Sequence, residues 1–333
     1  MEAAQIYEEK LHDIKGEENC YLEAVKALPL YVPALDSLAR IYRDQERWEE
    51  LLEIYDRQSR AIKDKKRLVP IFINMGLVWK DALGHPEMAA AAFEHALTLD
   101  PLCIPAIHAM QEIFKATSDW TSLYEALEKE TGVVKDKDKL IALYQEMASL
   151  ALTTLSRRDL GKEAYIKALD IEPGRQDLLL ALAKIYSQEG EWEELVQVYS
   201  TLAETIQDPR ISAEYYLAAG DMWEKKLAGP DLAILSYKKA LKKNPTSFKA
   251  LQALGRLYLQ EKRWEGLIEV YSHLQKLSTK PEKNMELLCL MGRIWWGRLK
   301  QGKKAVECFR KALGRDNSYI PALTGLSAVY REE

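Results

Sequence analysis

The sequence predicts an all-α protein, a right-handed α-solenoid in which antiparallel helix hairpins stack into a superhelix. Two observations predict this class. Residues of the same kind recur every 72 positions along the 333-residue chain, and self-similarity at a fixed period is typical of stacked repeats. Within each period the apolar residues fall at helical spacing, whereas no segment shows the alternation that is typical of a strand.

The period is clearest at two positions, which we call the tryptophan slot and the aromatic slot. Every member keeps the spacing of 72 residues, so no net insertion or deletion separates the repeats. The members are Trp48, Trp120, Trp192 and Trp264 in the tryptophan slot, and Tyr42, Phe114, Tyr186, Tyr258 and Tyr330 in the aromatic slot.

Each period contains two helix hairpins, and residues 69–101 show the first type. Gly76 and Trp79 lie on one apolar stripe of the first helix. The segment 84–86, Gly-His-Pro, ends that helix, because proline cannot continue a helix and glycine suits its end. Phe93 lies on the second helix. We expect the small residue at Gly76 to let this facing helix approach closely. We expect the same of its equivalents Ala4, Ala148, Gly220 and Gly292.

The second hairpin type has a tryptophan at the start of its second helix, and a proline in the first helical turn at Pro33, Pro105 and Pro321. In the first complete copy, the first helix runs from Pro33 through Tyr42 and the second from Trp48 through Tyr55. Proline is tolerated in a first helical turn because the missing N–H has no partner within the helix. We therefore predict one solenoid over residues 1–333, with about nine hairpins and a terminal helix. Its repeat periods are approximately 1–30 (partial), 31–102, 103–174, 175–246, 247–318 and 319–333 (partial).

The first hairpin type resembles the tetratricopeptide repeat (TPR) family. The family's spaced pattern of bulky, small, aromatic, Ala, aromatic, Ala and Pro residues is matched, with one extra residue in the turn, by Phe72, Gly76, Trp79, Ala89, Phe93, Ala96 and Pro101. The second hairpin type departs from this pattern, since leucines such as Leu51 replace the usual small residue. The resemblance covers the whole chain. It implies a binding scaffold with no enzymatic activity and no cofactor, whose partner is a protein or a peptide.

The resemblance also implies where a partner binds, because the first helices of TPR hairpins line a concave groove. The family's groove offsets give seven basic and three acidic residues in this sequence. Such an excess favours an acidic peptide or a terminal carboxylate; the alternative is that these are ordinary solvated helix faces. The set contains Arg40, Arg43, Lys80, Lys115, Lys184, Arg256 and Arg293, the acidic residues Glu112, Asp221 and Glu224, and in addition Trp296, which lies one position off its apolar stripe.

Other chemistries find little support in the sequence. The five histidines have no metal-ligand spacing. The segment 297–304 has the glycine and lysine spacing of a phosphate-binding loop, but Lys304 stands where Ser or Thr would hold magnesium, so we expect a helix–helix turn. The balance of 47 basic and 51 acidic residues predicts no nucleic-acid partner. No apolar stretch is long enough for a membrane helix, so we expect no membrane insertion.

These observations predict a protein–protein interaction scaffold. The four scattered cysteines fit a reducing compartment, and the first ten residues lack the pattern of a secretory signal, so we expect the cytoplasm. A second hypothesis is that the chain is the regulatory or docking region of a larger multidomain protein, since the repeats begin and end within a hairpin. The oligomeric state and the partner's identity are not predicted.

Overall fold

A computed structural model describes residues 14–332 of the chain. This part of the chain contains 18 α-helices and no strand, which confirms the all-α class. None of these helices is both long and apolar enough to span a bilayer. The helices are α1 (Ile14–Ala27), α2 (Val32–Asp44), α3 (Trp48–Ala61), α4 (Lys65–Leu77), α5 (Pro86–Leu99), α6 (Ile104–Thr117), α7 (Trp120–Thr131), α8 (Lys137–Thr153), α9 (Arg158–Ile171), α10 (Gln176–Glu189), α11 (Trp192–Thr205), α12 (Pro209–Lys225), α13 (Pro230–Lys243), α14 (Phe248–Gln260), α15 (Trp264–Leu277), α16 (Pro281–Gly297), α17 (Gly302–Leu313) and α18 (Ile320–Glu332).

Contacts divide the chain into two units at Ile171, which we call the N-terminal unit and the C-terminal unit. The described part of the N-terminal unit has α1 followed by the hairpins α2–α3, α4–α5, α6–α7 and α8–α9. The C-terminal unit has the hairpins α10–α11, α12–α13, α14–α15 and α16–α17, followed by α18, which packs on both α16 and α17. Within each unit every hairpin packs on the next, as predicted. The single solenoid over 1–333 stays a prediction, and Ala4 lies outside the described residues.

The hairpins of the first type are held by an aromatic ring that packs directly on glycine. A Cβ atom added to Gly76 would lie 2.5 Å from the ring of Phe93, and one added to Gly220 would lie 2.5 Å from the ring of Tyr237. Phe93 and Tyr237 have no exposed surface. Because a real Cβ atom cannot come this close, only glycine permits the observed separation of the two helices. The predicted role of Gly76 and Gly220 is therefore confirmed, and Gly292 makes the same contact with Phe309.

One hairpin of this type, α8–α9, has an alanine in place of the glycine. Ala148 occupies the glycine position on α8 and Tyr165 occupies the position of Phe93 on α9, so the small and the large residue keep their helices. A further close contact involves Gly161 on α9, at the position of Ala89, where an added Cβ atom would lie 2.6 Å from Leu152.

The turn that joins α4 to α5 explains the extra residue relative to the TPR pattern. The helix widens into a π-helical turn at Val78–Ala82, in which the Leu83 N–H donates to the Val78 carbonyl at 3.1 Å. Gly84 then adopts a positive φ of 69°, which is readily available to glycine. Equivalent positive-φ residues follow α8, α12 and α16, namely Ser156, Ala228 and Lys300.

The basic run at 63–67 is exposed and extends from the link between α3 and α4 into the first turn of α4. Its aspartate, Asp64, caps α4 by accepting a hydrogen bond from the Lys66 N–H at 3.0 Å. An aspartate of the next period, Asp136, caps α8 in the same way through the Lys139 N–H at 3.1 Å. Such caps satisfy N–H groups that a helix start leaves without a partner.

We predict that Gly220→Ala destabilises the C-terminal unit by about 1–2 kcal/mol, because the new methyl group overpacks against Tyr237. Gly255→Ala is the matched control. It lies inside α14, and its added Cβ atom would make an ordinary 3.5 Å contact, so higher helix propensity should stabilise the fold by up to about 1 kcal/mol. Urea unfolding midpoints measure both changes. Equal midpoints for the two variants would contradict this packing account.

Candidate functional site

The predicted groove residues all lie on first helices of hairpins or on the π-helical turn that continues α4. Most of them are exposed, whereas Lys80 and Trp296 are half-buried. Arg40 and Arg43 lie on α2, Lys80 on the π-helical turn, Lys115 on α6, Lys184 on α10, Arg256 on α14, and Arg293 and Trp296 on α16.

In the N-terminal unit, ion pairs join the first helices of successive hairpins. The ammonium of Lys80 lies 2.6 Å from a carboxylate oxygen of Glu112 on α6. Lys115, one turn further along α6, lies 2.9 Å from Glu146 on α8. The hydrogen bond from Lys80 lowers the pKa of Glu112, and the same bond raises the pKa of Lys80. These pairs are partly solvated, so each contributes at most about 1 kcal/mol to stability.

The C-terminal unit repeats the first of these pairs with its charges exchanged. Two periods after Lys80 and Glu112, the same positions hold Glu224 on α12 and Arg256 on α14, 2.8 Å apart. The hydrogen bond to Glu224 raises the pKa of Arg256. The register of the hairpins thus brings these two positions together whichever of them carries the positive charge.

The two arginines of α2 also have partners. Arg40 lies 2.9 Å from the buried carboxylate of Glu17 on α1. Arg43 donates a hydrogen bond to the hydroxyl of Tyr55 on α3. Among the described residues, no hydrogen bond or ion pair engages Lys184 or Arg293. These two side chains are therefore the cations of the predicted set that have no internal hydrogen-bond or ion-pair partner among the described residues.

The excess of positive charge predicted for the groove is largely offset by carboxylates outside the predicted set. Glu17 and Glu146 are the two acidic partners that the sequence analysis missed. For Glu146 a signal existed, because it follows Lys115 by 31 residues, and the pairs Lys80–Glu112 and Glu224–Arg256 are 32 residues apart. Trp296 packs with the apolar cluster of the last hairpins and is not fully exposed.

A buried tyrosine organises the acidic residues of α12. The hydroxyl of Tyr237 on α13 lies 2.7 Å from both the Asp221 and the Glu224 carboxylates. Burial and these two acceptors raise the pKa of Tyr237 strongly. Burial alone would raise the pKa of Asp221, but hydrogen bonds from Lys225 and Tyr237 hold it below its usual value. The tyrosine that packs on Gly220 thus also fixes the carboxylates that face α14.

The features that would indicate a phosphate-binding loop, a reactive thiol or a metal site lack that chemistry in the part of the chain that the structure describes. Lys304 of the loop-like segment lies 4.2 Å from the centre of the Trp295 ring, and a turn joins α16 to α17 there, as predicted. Burial raises the pKa of the Cys289 and Cys308 thiols, which disfavours the reactive thiolate. Residues 14–332 contain no cluster of three or more His, Cys, Asp or Glu side chains suited to a metal ion.

Models of the tetratricopeptide repeat family match residues 34–69, 178–211 and 236–269. The chain contains tetratricopeptide repeats in these three segments. The first two matches begin on α2 and α10 and therefore cover hairpins of the second type. These hairpins belong to the family although they depart from the pattern that residues 69–101 follow.

Several solved structures are similar to the chain. YrrB, described as a TPR protein with an unusual peptide-binding site, is 18% identical and aligns over 59% of this chain and 96% of its own, with a TM-score of 0.30. The structure of Naa15/Naa10 bound to HypK-THB is 12% identical over 99% of this chain and 60% of that one, with a TM-score of 0.41. PilF of Pseudomonas aeruginosa is 15% identical over 81% and 99%, with a TM-score of 0.28. No curated protein matches the sequence.

We predict that Tyr237→Phe destabilises the C-terminal unit by about 1.5–3 kcal/mol, because it removes a hydrogen-bond donor to buried charge. Tyr258→Phe is the control. Its ring is equally buried, and its hydroxyl makes no hydrogen bond among the described residues, so we expect a change near zero. Unfolding midpoints in urea at neutral pH compare the two variants.

The same pair of variants has an expected pH dependence. A lowered folded-state pKa of Asp221 means that its contribution is present above the ordinary aspartate pKa and is lost as the pH falls through the lowered value. Tyr237→Phe should raise the Asp221 pKa towards its ordinary value. The stability difference from wild type should therefore shrink on acidification, and a difference that grows in acid would contradict this.

Proposed function

We propose that the chain is a non-enzymatic scaffold that binds a protein or peptide along the face formed by the first helices of its hairpins. The observation that carries the proposal is the position of the charged residues. The eight predicted groove residues lie on first helices of hairpins or their direct continuation, and six of them are exposed. Tetratricopeptide repeats generally serve as interaction scaffolds, which supports the same conclusion.

We further propose that an acidic stretch of the partner binds the C-terminal unit at Lys184 and Arg293. Both side chains are exposed, and neither is engaged by a carboxylate of the described residues. Of the other cations, Arg40, Lys80, Lys115 and Arg256 already have carboxylate partners, and Arg43 donates a hydrogen bond to the Tyr55 hydroxyl. A carboxylate of the partner gains most at a cation that no internal carboxylate neutralises.

The cytoplasm is the proposed compartment. Its support is the four cysteines, all of which are free thiols in the structure, as is usual in a reducing environment. The alternative, that the chain is the regulatory or docking region of a larger multidomain protein, stays a prediction from the sequence.

The double variant Lys184→Glu/Arg293→Glu should reduce recovery of the partner about tenfold or more, because each charge-assisted hydrogen bond contributes about 1.5–3 kcal/mol. The control is Lys242→Glu/Lys243→Glu on α13, a second helix of the same unit with exposed lysines. It makes the same change in net charge. Quantitative affinity capture from cells compares the two variants with wild type. Equal losses for both would show only a bulk charge effect, and undiminished recovery with the first would refute the proposed site.

A further inference from the structure

A pocket opens beside the first member of the tryptophan slot, and no role has yet been assigned to it. It has a volume of about 420 Å³ and lies between α2, α3 and the end of α4. Trp48 lines the pocket together with Ala82, Arg43 and two carboxylate residues, Glu46 and Asp81. We call it the Trp48 pocket.

The same pocket recurs one period later beside Trp120, with a volume of 530 Å³. Its wall includes Thr154, Lys115 and Glu146, of which Thr154 and Lys115 are equivalent to Ala82 and Arg43. The pocket is therefore a feature of the repeat and not an accident of one turn.

In the C-terminal unit, the position of Ala82 and Thr154 holds a cationic residue. The ammonium of Lys226 lies 5.0 Å from the centre of the Trp192 ring, and the guanidinium of Arg298 lies 5.1 Å from the centre of the Trp264 ring. A cation over the face of an indole is attracted by the ring's electron density. Two of the four slot tryptophans thus have a cation of their own chain, and among the described residues no lysine or arginine lies over Trp48 or Trp120.

The charges around the two open pockets differ. In the Trp120 pocket, Lys115 and Glu146 neutralise each other through their ion pair. In the Trp48 pocket, Glu46 and Asp81 oppose the single cation Arg43. The guanidinium of Arg43 donates a hydrogen bond to the Tyr55 hydroxyl. The carboxylate of Asp81 lies 3.4 Å from the ammonium of Lys80, and that ammonium lies closer to Glu112. The Trp48 pocket therefore combines an open indole with an excess of negative charge.

We propose that the Trp48 pocket binds an arginine or lysine side chain of the partner polypeptide. The cation lies over the Trp48 ring, as Lys226 and Arg298 lie over theirs, and Glu46 and Asp81 supply the opposing charge. This inference rests on the proposed scaffold function and adds a basic residue to the partner's chemistry. Charge-assisted contacts combined with cation–π attraction would select a basic side chain over a neutral one of similar length.

The test uses the whole chain and the probe acetyl-Gly-Arg-Gly-amide, with acetyl-Gly-Gln-Gly-amide as the neutral control. Two-dimensional NMR follows the indole N–H resonances, which Trp→Phe substitutions assign. We expect the arginine peptide to shift the Trp48 resonance saturably in the millimolar range, and to leave those of Trp192 and Trp264 unchanged. No shift at Trp48, or an equal shift at Trp48 and Trp192, would overturn the proposal.

Two substitutions test the role of the cation. One places a cation of the chain over the Trp48 ring, and the other removes the cation that lies over the Trp192 ring. Ala82→Lys, at an exposed position, should abolish the Trp48 response by placing an ammonium of the chain over the ring. Lys226→Ala should make Trp192 respond to the arginine peptide. If Trp48 still responds in the first variant and Trp192 stays silent in the second, the assignment is wrong.

The outcome is separable from that of the scaffold proposal. A silent Trp48 pocket together with reduced partner capture by Lys184→Glu/Arg293→Glu would refute the pocket alone. A responsive pocket with unchanged capture would refute only the acidic-partner site in the C-terminal unit.

Discussion

The close packing of a large side chain on a glycine determines the geometry of the hairpins of the first type. In α4–α5 and α12–α13 the ring of Phe93 or Tyr237 occupies the space where a Cβ atom would otherwise stand. In α8–α9 Ala148 stands at that position, and a second close contact joins Gly161 of the second helix to Leu152 of the first. Each of these hairpins therefore pairs a small residue with a large one, because the helices can approach only where one of them is small.

The packing of each hairpin on the next places charged side chains of neighbouring first helices side by side. Side chains 31 or 32 residues apart then meet, as Lys80 meets Glu112 and Arg256 meets Glu224. Tyr237 takes part both in the packing of the hairpin and in its charge interactions. Its ring packs on Gly220, and its hydroxyl lies within hydrogen-bond distance of the carboxylates of Asp221 and Glu224. The charged side chains that take part in no internal ion pair are the ones available to a binding partner.

The sequence predicted much of the fold, because the aromatic and small residues recur at a constant spacing. It also placed Arg40, Lys80 and Lys184 correctly on first helices. It did not predict which of these cations are neutralised, because Glu17 and Glu146 lie outside the family's groove offsets and only the folded register brings them close. The Trp48 pocket was missed for another reason. Its decisive residue is the small Ala82, whose significance appears only when Lys226 and Arg298 are seen over the equivalent rings.

We propose that a polypeptide partner binds the first helices of the hairpins. Hydrogen exchange, measured by mass spectrometry on the chain alone and with its captured partner, tests this most directly. Protection should increase in first helices such as α10 and α16, and little in second helices such as α11 and α13. Protection confined to the second helices would contradict the claim, since the partner would then occupy the opposite side of the hairpins.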